Sequence, residues 1–268
     1  MNMAQVLDHF NISNKALGDY INEDGLLYCS RCHAPKQAHG VGLMDGKLLF
    51  ITCDCQKREQ AAEEKRKLRD KAEELRKSCL PVKAMHRHNF EAADESRHIQ
   101  IARRYVEQWN EMRKRNMGLM FWGNTGTGKR FAAHCVANAM IDQLVPARVY
   151  SAGYIVDLLQ DRSKRDEIHE KINTLPLLIL DDIGAERETP YAQEKLCSII
   201  DERSEAGLPL IVTTNYTIAD MDNYADAEMQ RIFDRLRALC IPVAVIGESR
   251  RREIGAHKLR EAKELLNL

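Results

Sequence analysis

The stretch Gly123-Asn124-Thr125-Gly126-Thr127-Gly128-Lys129 leaves this chain the least conformational freedom. It follows the apolar run Leu119-Met120-Phe121-Trp122 directly and precedes the helical stretch FAAHCVANAMI, so it joins a buried strand to a helix. Gly123, Gly126 and Gly128 allow a turn tight enough for main-chain N–H groups and the helix N-terminus to wrap phosphate oxygens. Lys129 adds a point charge for the β- and γ-phosphates. The spacing predicts a phosphate-binding loop, and hence ATP as ligand. The next position departs from the pattern: where a Ser or Thr hydroxyl normally joins the Mg²⁺ shell, the chain has Arg130, which cannot ligate a cation. Thr127 or water is left to complete that shell, and ATP binding is expected to survive better than turnover.

Around this loop, apolar runs alternate with helical stretches: GLMFWG (118–123), ARVYSA (147–152), LPLLILDD (175–182), LPLIVTTN (208–215) and IPVAVIG (241–247). Buried strands separated by helices predict an α/β fold with a five-stranded parallel sheet. The third run ends in Asp181-Asp182, at the strand end where such sheets bind ligands. Asp181 is expected to hold Mg²⁺ through water and Asp182 to orient or deprotonate an attacking water, against the plainer alternative of a helix N-cap pair. The fourth run ends in Thr213-Thr214-Asn215, which sets the Asn215 amide near a γ-phosphate as a sensor. Arg231 and Arg235 in QRIFDRLR share a helical face; spacing alone favours simple pairing with Glu228 or Asp234.

The first third of the chain reads differently. Residues 1–28 carry a short amphipathic pattern, Val6, Phe10, Ile12 and Leu17, without visible chemistry. Four of the eight cysteines then crowd into Cys29-Ser-Arg-Cys32 and Cys53-Asp-Cys55. Thiols at this spacing in a glycine-punctuated segment suit tetrahedral Zn²⁺, which supplies the folding energy so small a module lacks. The C-x-C half is unusual, so His33 or His39 stays open as a substitute ligand. Cys79, Cys135, Cys197 and Cys240 read as small hydrophobes. From Gln56 to Ser78 the chain is almost wholly charged, with opposite signs at i,i+3 and i,i+4 spacing. A solvated connector helix is expected, since apolar positions are too sparse for a coiled-coil seam. The resulting organisation is a zinc module over 1–55, a charged linker helix over 56–80 and an ATP-binding domain over 81–268.

Basic and acidic residues number 40 each, so attraction to nucleic acid must come from local patches. Neither a signal peptide nor a membrane-spanning run is evident, and a cytoplasmic location is expected.

Taken together, GNTGTGK, LLILDDIGAE, TTN, QRIFDRL and GESRR resemble the DnaC/DnaI/IstB family of AAA+ ATPases across most of residues 81–255. The cysteine module looks like the zinc-binding N-terminal domain of bacterial and phage helicase loaders, which contacts the replicative DNA helicase in that family; IstB-type transposition helpers do not typically have it. The resemblance implies a role in DNA replication, loading a helicase onto single-stranded DNA. It implies self-association through AAA+ domains, with Arg235 as arginine finger, Arg251 as sensor arginine on the nucleotide and Glu186 in the motif after the acidic strand end. It also implies that Arg162, Lys164, Arg165, Thr189 and Tyr191 line the DNA path, where Lys and Arg track phosphates and Tyr191 stacks a base; surface salt bridging is the alternative. Two other functions stay open: a nucleotide-gated adaptor with little hydrolysis, because of Arg130, and an IstB-like transposition helper.

Overall fold

The computed structural model describes residues 18–40, 47–184 and 189–266. Val6, Phe10, Ile12, Leu17, Gly42, Gly46 and Glu186 lie outside them. By contacts the chain divides into two compact units, up to Asp70 and from Lys71 onward.

In the first unit, strands β1 (Tyr20–Ile21) and β2 (Leu27–Tyr28) form an antiparallel hairpin, and β3 (Gln37–His39) pairs antiparallel with β4 (Leu48–Phe50). Elements so short cannot bury a core of their own. Polar bracing compensates: Lys36 is buried in an ion pair with Asp19, which also accepts the Ser30 N–H at 3.1 Å. Burial alone would raise the Asp19 carboxyl; Lys36 and Ser30 reverse that and hold it below the usual carboxylate range. Helix α1 (Asp54–Cys79) starts here and continues into the second unit. Its charged stretch forms the expected ladder of ion pairs, Glu63 to Arg66 at 2.7 Å and Glu63 to Lys67 at 3.7 Å.

The second unit is a five-stranded parallel sheet with helices on both faces. Strands β5 (Gly118–Trp122), β6 (Ala147–Ser151), β7 (Leu177–Ile183), β8 (Leu210–Thr214) and β9 (Cys240–Ala244) lie in the order β6-β7-β8-β5-β9, all parallel. Each of the five apolar runs is a strand, and period two explains why they are apolar throughout. Leu119, Phe121, Ile179 and Ile211 face one core with α2 (Arg97–Glu107) and α4 (Lys129–Asp142). Met120, Leu178, Leu180 and Val212 face the other, with α5 (Ala152–Gln160), α6 (Arg165–Thr174), α7 (Pro190–Glu205) and α9 (Ala227–Leu239). The short helices α3 (Trp109–Lys114) and α8 (Ile218–Asp222) fill connections, and α10 (Arg250–Leu266) follows β9. Among the described residues no helix is long and apolar enough to cross a membrane.

One charged side chain is part of the core. Arg203 on α7 has no exposed surface and donates to the carbonyls of Ile172, Leu175 and Pro209 at 2.8, 2.7 and 2.5 Å, joining the ends of α6, β7 and β8. Burial lowers its pKa to about 10, still far above neutrality.

Candidate nucleotide site and cysteine cluster

The strand order decides what can meet. β8 lies between β5, which feeds the glycine loop, and β7, which ends in the two aspartates, so Asn215 emerges between loop and acids. A cleft of about 440 Å³ opens at these strand ends; Thr125, Gly126, Gly128, Lys129, Asp182, Asn215 and Arg251 line it as the sequence suggested. His88, Ala92, Arg130, Phe131, Arg250 and Ile254 line it too.

The loop is tied to the chain beyond β9. Gly126 has φ +86, and a Cβ there would stand 2.2 Å from Ser249 Oγ. Gly126 O in turn accepts the Arg250 N–H at 3.1 Å, which fixes the start of α10 against the loop and brings Arg251 to the cleft. Gly128, at φ +109, is the N-cap of α4, so the helix N-terminus points into the loop. Lys129 Nζ, buried, donates to Gly123 O at 2.8 Å and Asn124 O at 2.7 Å. Burial and the Arg251 charge lower its pKa while Asp182 and Asp181 oppose them. Thr127 Oγ1 is buried 2.8 Å from both Asn124 O and Val245 O. Its hydroxyl therefore braces the loop against the residue that follows β9.

The aspartates sit in an irregular strand end and do not cap a helix. The register of β7 on β8 shifts between Leu180 and Ile183, and Asp182 adopts φ +57, costly for a non-glycine residue. Thr213, fully buried, holds the irregularity: its hydroxyl donates to Asp181 Oδ1 at 2.6 Å and accepts the Asp182 N–H at 2.9 Å. His134 Nε2 lies 3.3 Å from Asp181 Oδ2, and His134 Nδ1 lies 2.9 Å from His88 Nδ1. Burial works against the Asp181 charge, but His134, Thr213 and Arg130 together hold the carboxyl below its ordinary range. Burial, with the His134 and Arg130 charges, lowers the His88 pKa.

Arg130 is the unexpected member. Its guanidinium forms ion pairs with both Asp181 Oδ2 and Asp182 Oδ2. The Mg²⁺ implied by a P-loop fold is held at a strand-end carboxylate with a hydroxyl or water beside it, and here a cation pairs with both carboxylates and no hydroxyl follows Lys129. As arranged, the residues do not fit that ion. The sequence showed that Arg130 could not be a ligand; its position on the carboxylates depends on a contact across 51 and 52 residues of chain.

Other candidate residues stand apart from the cleft. Arg235 on α9 lies with Nε 2.5 Å from Asp201 Oδ1 and donates to Cys197 Sγ at 2.7 Å, and Arg231 pairs with Glu228 at 3.0 Å. Thr189 caps α7 by accepting the Ala192 N–H at 3.2 Å, and Tyr191 is half-buried with Lys195 Nζ 5.3 Å from its ring centroid. Both line a hollow that Gln160 of α5 shares. Lys164 lies 3.5 Å from Asp161, Arg165 Nε donates to Leu159 O at 3.0 Å, and Arg162 is exposed.

In the first unit the Sγ atoms of Cys29, Cys32, Cys53 and Cys55 all lie within 4.8 Å of one another. A tetrahedral zinc with Zn–S near 2.3 Å needs S···S separations of roughly 3.8 Å, so the donor set fits. His33 does not join: it turns at φ +54 and its Nδ1 lies 3.0 Å from Tyr20 Oη. The Ala34 N–H and the Cys55 thiol draw Cys32 down to about 7, and the adjoining Cys32 with burial pushes Cys55 up to about 12. Crowded thiols that ionise at one another's expense suit a dication.

Sheet order, phosphate loop, acidic strand end and polar strand terminus define a P-loop ATP-binding domain of the AAA+ class. The chain belongs to the family of IstB-like ATP binding proteins, which it matches over residues 54–257. It is similar to the replicative helicase loader DnaI of Bacillus subtilis (strain 168), 25% identical over 160 residues that span 55% of this chain and 51% of the relative. It is similar also to the replicative helicase loader DnaC of Escherichia coli (strain K12), 24% identical over 141 residues, 51% of this chain and 55% of the relative. The chain thus spans about half the length of the curated relatives it matches. The fold is shared with the crystal structure of DnaI, at TM-score 0.55 and 24% identity over 63% of this chain and 93% of that one. It is shared likewise with that of the DnaC helicase loader, at TM-score 0.53 and 20% identity over 61% and 99%.

Proposed function

We propose that this protein is an ATP-binding DNA replication factor that loads a replicative helicase onto single-stranded DNA. The carrying observation is the cleft at the strand ends, where Lys129, Asn215 and Arg251 converge on one space in a chain similar to two replicative helicase loaders. Gly123, Asn124, Thr125, Gly126, Thr127, Gly128 and Lys129 cradle the phosphates, Arg251 faces the nucleotide and Asn215 senses the γ-phosphate. Asp182 orients water for whatever turnover occurs. ATP-binding domains associate so that Arg235, free to exchange its half-exposed Asp201 partner, reaches the nucleotide of a neighbouring copy. DNA then runs past Arg162, Lys164, Arg165, Thr189 and Tyr191. The N-terminal module, with zinc held by Cys29, Cys32, Cys53 and Cys55, grips the helicase; the exposed Leu48, Leu49 and Ile51 in and beside β4 suit an apolar partner surface.

Arg130 favours a second reading of the cycle, in which the loader switches by nucleotide occupancy and scarcely turns over. A pull-down with the host's replicative helicase, followed by ATPase assays with helicase and single-stranded DNA, tests both. Capture of the helicase with little stimulated turnover, restored by Arg130→Thr, is expected; brisk basal hydrolysis would eliminate the occupancy switch. Failure to bind the helicase, with binding instead to duplex DNA and a transposase, would overturn the loader in favour of a transposition helper.

A further inference from the structure

Three of the four carboxylate oxygens at the end of β7 have a cationic or hydrogen-bonding partner among the described residues. Asp181 Oδ1 accepts from Thr213, Asp181 Oδ2 meets Arg130 and His134, and Asp182 Oδ2 meets Arg130. Arg130 follows Lys129 in the first turn of α4, and its guanidinium reaches both carboxylates of β7. His134, one turn on, backs it from the same helical face. The Arg130 guanidinium is a planar fork of N–H donors. Its fork matches phosphate as well as it matches carboxylate, and Arg130 is 42% exposed on the cleft wall, beside the loop that holds the phosphates.

We infer that Arg130 is the resident cation of the nucleotide site, and that the chain binds nucleoside triphosphate without a divalent metal. Lys129, Arg130 and Arg251 supply the positive charge that faces the triphosphate, and Asp181 and Asp182 hold Arg130 in place where they would otherwise hold an ion. The inference rests on the nucleotide-binding reading of the cleft and adds to it the form of the ligand: metal-free triphosphate.

The test is calorimetric titration of the full chain with ATP in resin-treated buffer, with magnesium added or omitted. A strong chelator is avoided because it would strip the cysteine cluster. The two affinities are expected to agree within about threefold, whereas Arg130→Thr, which restores the hydroxyl and frees the carboxylates, binds at least about tenfold more weakly when magnesium is omitted. Arg130→Lys, which keeps a cation, is expected to retain binding in both buffers. A native affinity that falls tenfold or more on omission of magnesium, while Lys129→Ala abolishes binding in both buffers, would overturn the inference and leave the nucleotide site standing. Absence of native binding in either buffer would overturn both. Thermal melting of each variant separates loss of binding from loss of fold.

Discussion

Replacing Thr213 by valine removes one hydroxyl and almost no volume, yet that hydroxyl holds both aspartates. It donates to Asp181 Oδ1 at 2.6 Å and accepts the Asp182 N–H at 2.9 Å, with no exposed surface. Loss of a hydrogen bond to an ionised carboxylate costs roughly 1.5–3 kcal/mol, and an amide left without its acceptor about 1 kcal/mol more. The added methyl returns up to about 1 kcal/mol of apolar burial, so the net destabilisation is about 2–3 kcal/mol. For a unit of this size that lowers Tm by roughly 4–12 °C, which circular dichroism reads directly. The pH dependence carries a sign. The Asp181 carboxyl is depressed, so its contribution is complete above the ordinary carboxylate range and is lost as pH falls through its folded value. The gap between native and valine proteins is therefore full at neutral pH and narrows only below about pH 4. Thr213→Ser, which keeps the hydroxyl, stays close to native. A valine protein that melts with the native one at neutral pH, or a serine protein as damaged as the valine one, would refute the arrangement.

Burial lowers the pKa of both His88 and His98, so the unfolded chain binds more protons below the ordinary histidine value; stability should decline as pH drops from about 7.5 to about 5.5, and a flat or rising Tm across that window would contradict it. Arg203→Leu deprives the Ile172, Leu175 and Pro209 carbonyls of their donor and is expected to cost about 3 kcal/mol or more in urea unfolding, against well under 1 kcal/mol for a surface arginine. Metal analysis of the purified chain should find zinc bound, lost in Cys29→Ser together with the structure of the first unit but not the melting of the second; metal-free protein with an intact first unit would count against the cluster.

What the sequence made legible was local. Strand identities followed because five apolar runs are buried on both faces, and the loop at 123–129 followed because its glycines and lysine adjoin strand and helix. The four cysteines were recoverable from spacing, though only the turn at Cys29–Ala34, with His33 at φ +54 and bonded to Tyr20, removes His33 from the donor set. Contacts across long chain separations stayed hidden. His134 carried a faint signal, one turn after Arg130 on the same helix face, but His88 reaches it from an irregular segment with no period to betray it. Arg203 sits in a helix whose charged composition suggests solvent, and only the convergence of three chain ends explains its burial. The contact that braces Thr127 was hidden for a related reason: its partner, Val245 O, is 118 residues away.

Titration of the full chain and its Lys129→Ala variant with ATP, at matched thermal stability, tests the phosphate cradle most directly. The native chain is predicted to bind and the variant to lose at least about tenfold in affinity, since the ammonium that bridges Gly123 O and Asn124 O is also the charge proposed to meet the phosphates. Equal affinity in the two proteins would contradict the assignment of residues 123–129 as the nucleotide site.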